Sequence, residues 1–257
     1  MNKNTICKYC GQEKKLINSH IIPKNFYLTR KNDKYLCINS KTGKYTYKQN
    51  GGYDSNILCG NCDNNILGEF DKEGYHVLFG DFNKYQYVQI HPKYKIYQLD
   101  NSNFDYTKLR KFFISILWRA SISQLEEWSN INLGGYEKKA LEILKGKREY
   151  PELFKTLIYK NSLIEDINQE VLIAKGKTSK YKKYVIQMAG YHIEVMVDST
   201  RITNQYKLQY ETFFLNPTYA YIIETPEVSN RLKQEYNIRM RKLYTKGFVP
   251  PKPPEVN

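Results

Sequence analysis

Two Cys-x-x-Cys pairs, C-K-Y-C at Cys7 and Cys10 and C-G-N-C at Cys59 and Cys62, carry the plainest chemistry in this chain. Thiolates bind zinc tetrahedrally, and two intervening residues let one turn aim both sulfurs at a single ion. Gly11, directly after Cys10, suits the tight turn of such a knuckle. If the chain between the pairs folds back, they complete a four-cysteine structural Zn²⁺ site whose binding energy becomes folding energy. Redox pairs are the alternative, but thioredoxin-type motifs sit in a strand–helix setting that neither pair shows. Between the knuckles stands N-S-H-I-I-P at 18–23. A neutral imidazole exchanges protons near pH 7, which gives His20 a chemistry of its own. Its bland alternatives are packing or capping beside the zinc, or serving as a fifth candidate ligand.

The elements that position these residues are read from pattern. Leu16 and Ile17 form a short apolar step before His20, and Pro23 ends the strand that carries it. A lysine-rich insertion at 28–53 holds Y-L-C-I-N and K-Y-T-Y-K around S-K-T-G, the pattern of a β-hairpin, with Cys37 as a small apolar filler. After Cys59, the residues Ile66, Leu67, Phe70, Val77 and Leu78 fall at helical spacing. Asp63 and Asn64 are N-cap types for that helix, and Asp63 and Asp71 share a face two turns apart. A strand-like run broken by Pro92 comes next.

From about Asp105 an amphipathic helix places Leu109, Phe112, Phe113, Ile116, Leu117 and Ala120 on one stripe. A second helix comes after Gly134-Gly135, and Pro151 opens a third up to about Tyr159. Residues 171–225 read as strands, with Ala189-Gly190 as a tight hairpin or a bulge. A charged helix at about 228–243 leads to a proline-rich tail that cannot join a sheet. His76, His91 and His192 read as structural histidines.

The 257 residues allow one large domain or two modest ones. No run approaches the ~18 apolar residues of a membrane span and no apolar signal region comes after Met1, so the expected chain is soluble, not secreted and cytoplasmic, with no membrane partner. Five cysteines, four of them in close pairs, fit a metal site in a reducing compartment better than a disulfide framework. A net charge of +14 with 24 tyrosines favours nucleic acid as partner, through phosphate attraction and base stacking. Charge alone speaks to association and not to fold.

Taken together, Cys-x-x-Cys, S-H-I-I-P and N-I-L-C-x-x-C-D-N at the start of a helix resemble the HNH (ββα-metal) nucleases in their zinc-braced form. The resemblance covers roughly residues 5–80, and L-W-R-A-S at 117–121 is similar to the stretch that succeeds such a module in bacterial proteins. It implies that His20 is the general base and that an asparagine on the connecting loop holds the geometry. That asparagine matches Asn56 by type, or Asp54 by distance from Cys59. It further implies that Asp63 binds a catalytic Mg²⁺ or Mn²⁺, as a carboxylate can. Ser19 departs from the family, which places a metal-ligating aspartate or histidine before the catalytic histidine. The site would then recruit Asp54 or Asp71, bind metal weakly, or be inactive.

The expected architecture is therefore α+β: a zinc-bound ββα-metal module within 1–100, then central helices and a C-terminal antiparallel sheet within 101–257. The expected activity is metal-dependent cleavage of DNA in preference to RNA, and bacterial proteins built this way resemble restriction or anti-phage effectors. Arg30, Lys31, Lys34, Lys41, Lys44 and Lys48 on the hairpin are placed to hold a nucleic-acid backbone, and K-G-K-T-S-K-Y-K-K-Y at 175–184 extends the track. The main alternative is a zinc-stabilised nucleic-acid-binding protein with a degenerate site. In a third reading the tyrosine-rich C-terminal region binds a protein partner or a second copy.

Overall fold

A computed structural model describes residues 5–27, 35–38, 45–48, 51–91, 94–161, 171–176, 181–198 and 211–224, with isolated helical positions at 226, 230 and 234. The chain opens with a small antiparallel pair, β1 (Thr5–Ile6) and β2 (Glu13–Lys14). Next come strands β3 (Ser19–His20), β4 (Tyr35–Ile38), β5 (Tyr45–Lys48) and β6 (Tyr53–Asp54). The hairpin of β4 and β5 lies in sequence between β3 and β6, which pair with each other. A π-helical turn over Asn61–Leu67 runs straight into α1 (Gly68–Phe79). Then come β7 (Gln86–His91), β8 (Tyr94–Asp100), α2 (Tyr106–Ile122) and α3 (Tyr136–Leu144). The chain continues through β9 (Leu153–Lys160), β10 (Leu172–Lys175), β11 (Lys183–Met188), β12 (Tyr191–Asp198) and β13 (Tyr219–Glu224). The protein is thus α+β, with a few helices and a large sheet on its C-terminal side.

That sheet has seven strands in the order β10-β11-β12-β9-β13-β8-β7. It is not wholly antiparallel as expected, because β13 runs parallel to β9. The division drawn at residue 100 falls between β8 and its partner β13. Ala189 and Gly190 both have positive φ (52° and 80°) and join Met188 to Tyr191, so this step is a tight hairpin rather than a bulge.

The third helix expected after Pro151 is instead β9. Its L-F-K-T-L-I-Y-K sequence is rich in β-branched and aromatic residues and buried on both faces, and its edges pair with β12 and β13. The Arg110 guanidinium fixes the turn that starts β9, donating to the carbonyls of Tyr150 (2.7 Å) and Leu153 (3.3 Å).

Helix α2 is the centre of the packing. Asp105 caps it by accepting from the Lys108 N–H, and eleven of its 17 residues are buried, so it is covered on nearly every side. It lies between α1, α3 and one face of the sheet, and Leu109, Phe112, Phe113 and Ile116 share a core with Ile158, Ile193 and Ile222. Gly74 lets α1 approach closely: a Cβ there would fall inside 3.0 Å of the Phe112 ring. Among the described residues no helix is long and apolar enough to cross a membrane. The charged segment after 225 and the proline-rich tail lie outside the described residues, apart from positions 226, 230 and 234.

Candidate functional site

The two knuckles meet. The Sγ atoms of Cys7, Cys10, Cys59 and Cys62 all lie within 4.8 Å of one another. Sulfurs on a tetrahedral zinc at about 2.3 Å stand roughly 3.8 Å apart, so the four thiols fit such an ion. The first knuckle closes through Gly11, whose φ of 78° lets its N–H reach the Cys7 carbonyl at 2.8 Å. The second is brought over by a bridge between Leu16 and Cys59, and the Cys59 N–H donates to Cys7 Sγ at 3.4 Å. Burial raises the Cys7 thiol, but N–H donors at Cys10, Cys59 and Tyr9 outweigh it and bring the pKa down to about 7. Burial and the neighbouring thiols push Cys62 the other way. A cluster of this kind binds metal as thiolates.

The same backbone carries the second cluster. The Ile17 N–H donates to the Leu58 carbonyl, and two residues on, Ser19 pairs with Asp54 and His20 with Tyr53. His20 is half-buried, and its ring stands 5.9 Å from that of Tyr53, which is 40 % exposed. Ser19 is fully buried and its hydroxyl lies against the Asp63 carboxylate, holding that group's pKa down. Burial is the larger influence and, with the nearby Asp71 charge, leaves the Asp63 carboxyl raised despite the pull of Arg119.

Asp63 is not the helix cap its type suggested. Gly60 occupies that position, and the Asp63 carbonyl accepts from the Gly68 N–H, an i→i+5 bond that defines the π turn. This has a consequence for the site. At 3.6 residues per turn, positions 63 and 71 would lie about 80° apart around a regular helix. The wider turn takes up that offset, so the two carboxylates come close enough to repel.

Asp71 is held by Arg119 through a two-point ion pair at 2.7 and 3.2 Å. Burial pushes its carboxyl up, against the pull of the guanidinium and of His20. Asp54 is likewise engaged. Its Oδ1 accepts from the Asn56 N–H at 2.8 Å, and its Oδ2 from the Ser123 hydroxyl (2.8 Å) and the Gln124 N–H (3.2 Å). Asp54 therefore ties the loop together, while Asn56 contributes its backbone and is exposed. Of the three aspartates in this cluster, Asp63 is engaged by the Ser19 hydroxyl, whereas Asp71 is held in an ion pair and Asp54 by a set of donors. A hard divalent cation can bind through a single carboxylate when waters and phosphate complete its shell, which the donor set here would allow.

Of the basic residues singled out from sequence, Arg30, Lys31, Lys34, Lys41 and Lys44 lie outside the described residues, and Lys48 is on β5, paired with Tyr35. In the second basic run, Lys182 donates to the Asn132 and Leu133 carbonyls and Lys183 pairs with Glu194 at 3.0 Å, so both serve the fold. His76 is exposed on α1, and His192 is buried in the sheet.

Arg119 is the site residue that sequence reasoning missed. Its signal was an arginine one turn beyond Ser115 on the C-terminal half of α2, directly after the apolar run Ile116-Leu117-Trp118, where a buried charge needs a partner. Compared with known proteins, the chain matches no family model, no curated protein and no solved structure.

Proposed function

We propose that this protein is a metal-dependent endonuclease of the HNH kind acting on DNA. The observation that carries the reading is one continuous arrangement. The strand bearing Ser19 and His20, its partner bearing Asp54, and the helix bearing Asp63 and Asp71 all grow from the cysteine tetrad. In this reading Cys7, Cys10, Cys59 and Cys62 hold a structural Zn²⁺, which braces the unit. His20 takes a proton from water, whose oxygen bonds to phosphorus as the bond to the leaving sugar oxygen breaks. Asp63, steadied by Ser19, is the ligand for Mg²⁺ or Mn²⁺, which would neutralise charge on the phosphate and the leaving oxygen. Asp54 takes the loop-organising part assigned from the resemblance to Asn56.

A second reading has its own support. Asp54 and Asp71 are both committed to other partners, and Ser19 stands where a metal ligand is expected. That pattern favours a nucleic-acid-binding protein whose cleavage site is inactive. Incubating supercoiled plasmid with the zinc-loaded protein and Mg²⁺ or Mn²⁺, beside EDTA-treated reactions and a salt titration of DNA binding, separates the two. Metal-dependent nicking supports the nuclease. Salt-sensitive binding without nicking supports the second reading and removes the first.

A further inference from the structure

Arg119 reaches the site from α2, a helix outside the unit formed by β3, β6 and α1. Its side chain is 1 % exposed, yet every N–H of its guanidinium has an acceptor. Nε donates to the Ser115 carbonyl at 3.4 Å. Nη1 donates to the His20 carbonyl at 3.0 Å and to Asp71 Oδ2 at 3.2 Å. Nη2 donates to Asp71 Oδ1 at 2.7 Å and to Ser115 Oγ at 3.1 Å. One planar fork therefore grips the backbone of the residue that carries the imidazole, the helix that carries Asp63, and its own helix. An ion pair serving cohesion alone would need Asp71 but not the His20 carbonyl.

We propose that Arg119 is a positioning residue: by bonding the His20 carbonyl and the Asp71 carboxylate with one rigid group, it fixes the strand that carries the imidazole against the helix that carries Asp71 and makes α2 part of the catalytic apparatus. Its effect on rate rests on the nuclease reading; its effect on His20 does not. Arg119 is too deeply buried to touch a phosphodiester. Lysine replaces it only in part, because a point charge with three donors lacks the fork.

The test uses the full zinc-loaded chain. Removing Arg119 or Asp71 alone would leave an unpaired buried charge, so the pair is removed together as Arg119→Met with Asp71→Asn, which leaves none. Arg119→Lys is the conservative companion. Each form is first checked for bound zinc and for a melting temperature within a few degrees of wild type. A displacement of the base by an ångström costs on the order of 10²-fold in rate. The double variant is therefore expected to lose about that factor in kcat with KM for plasmid within about two-fold, and Arg119→Lys to fall between. A folded double variant with wild-type kcat overturns the proposal. The independent readout is the NMR order parameter of the His20 ring, assigned with His20→Ala. It should be high in wild type and fall in the double variant. Should wild type cut nothing, the nuclease reading fails by itself, and the ring order parameter decides: a fall upholds positioning, and an unchanged value overturns it.

Discussion

The hydroxyl of Tyr9, inside the first knuckle, donates to the carbonyl of Leu144 in the last turn of α3 at 3.2 Å, across 135 residues of sequence. The Tyr9 ring also meets Trp118 of α2 edge-on at 6.0 Å. The cysteine tetrad is therefore anchored to two helices and not only to its own loops. If the tetrad holds a zinc ion, as its geometry allows, removing that ion should loosen α3 as well as the knuckle.

Cys59→Ser should accordingly abolish stoichiometric zinc binding and lower the melting temperature by roughly 10 °C or more, since structural zinc supplies folding energy outright. Metal analysis and calorimetry on the same preparation check this. Full retention of zinc, or its loss with no thermal penalty, would show that the tetrad does not brace the fold.

Gly74→Ala puts a methyl group into the Phe112 ring at the crossing of α1 and α2. Alanine is the better helix former by about 1 kcal/mol, but overpacking costs about 1–3 kcal/mol. A net loss of up to about 2 kcal/mol in urea unfolding is expected. A stabilised variant would mean that the two helices have room to part.

Asp54→Ala strands donors at Asn56, Ser123 and Gln124, two of them from the segment just after α2. Unsatisfied donors cost about 1–3 kcal/mol each when buried and less where water can enter, so a loss of about 2–4 kcal/mol is expected. Asp54→Asn, which keeps an acceptor, should lose less. Equal losses from both would mean that charge and not hydrogen bonding matters at this position.

Glu194 is buried in the sheet between His192 (3.4 Å) and Lys183 (3.0 Å). Burial alone would raise its carboxyl, but the His192 hydrogen bond and the Lys183 ammonium outweigh it and bring the pKa from 4.5 to about 2. The folded state thus favours the ionised form. The resulting stability is fully present above the ordinary value of 4.5 and disappears as pH falls through about 2. Wild type should lose a few kcal/mol over that window, at 1.36 kcal/mol per pH unit of difference. Glu194→Gln should flatten that part of the pH–stability curve while being less stable at neutral pH. A curve that keeps its slope in the variant would exclude Glu194 as the source.

Much of this arrangement was legible in the sequence because it is encoded locally. The Cys-x-x-Cys spacing announces its own geometry. The stripe from Leu109 to Ala120 marks a helix, and the β-branched runs between 172 and 224 mark strands. The features that escaped depend on distant partners. Nothing near Phe154 says that β9 will find β12 on one side and β13 on the other, so a proline before an apolar run read as a helix start. The i→i+5 bond from Gly68 to Asp63 has no residue signature, yet it is what brings Asp63 and Asp71 onto the shared face that their spacing suggested. Arg119 was hidden because its acceptors, His20 and Asp71, lie far back in the chain.

The central claim concerns His20, and plasmid cleavage with Mg²⁺ or Mn²⁺ by wild type beside His20→Ala tests it most directly, once both forms are shown to be folded and to hold one zinc. The expected result is cleavage by wild type and a loss of at least 10²-fold in the variant, the usual range for a general base. Cleavage at equal rates would contradict the assignment of His20, and salt-sensitive DNA binding by both with cleavage by neither would make this a binding protein.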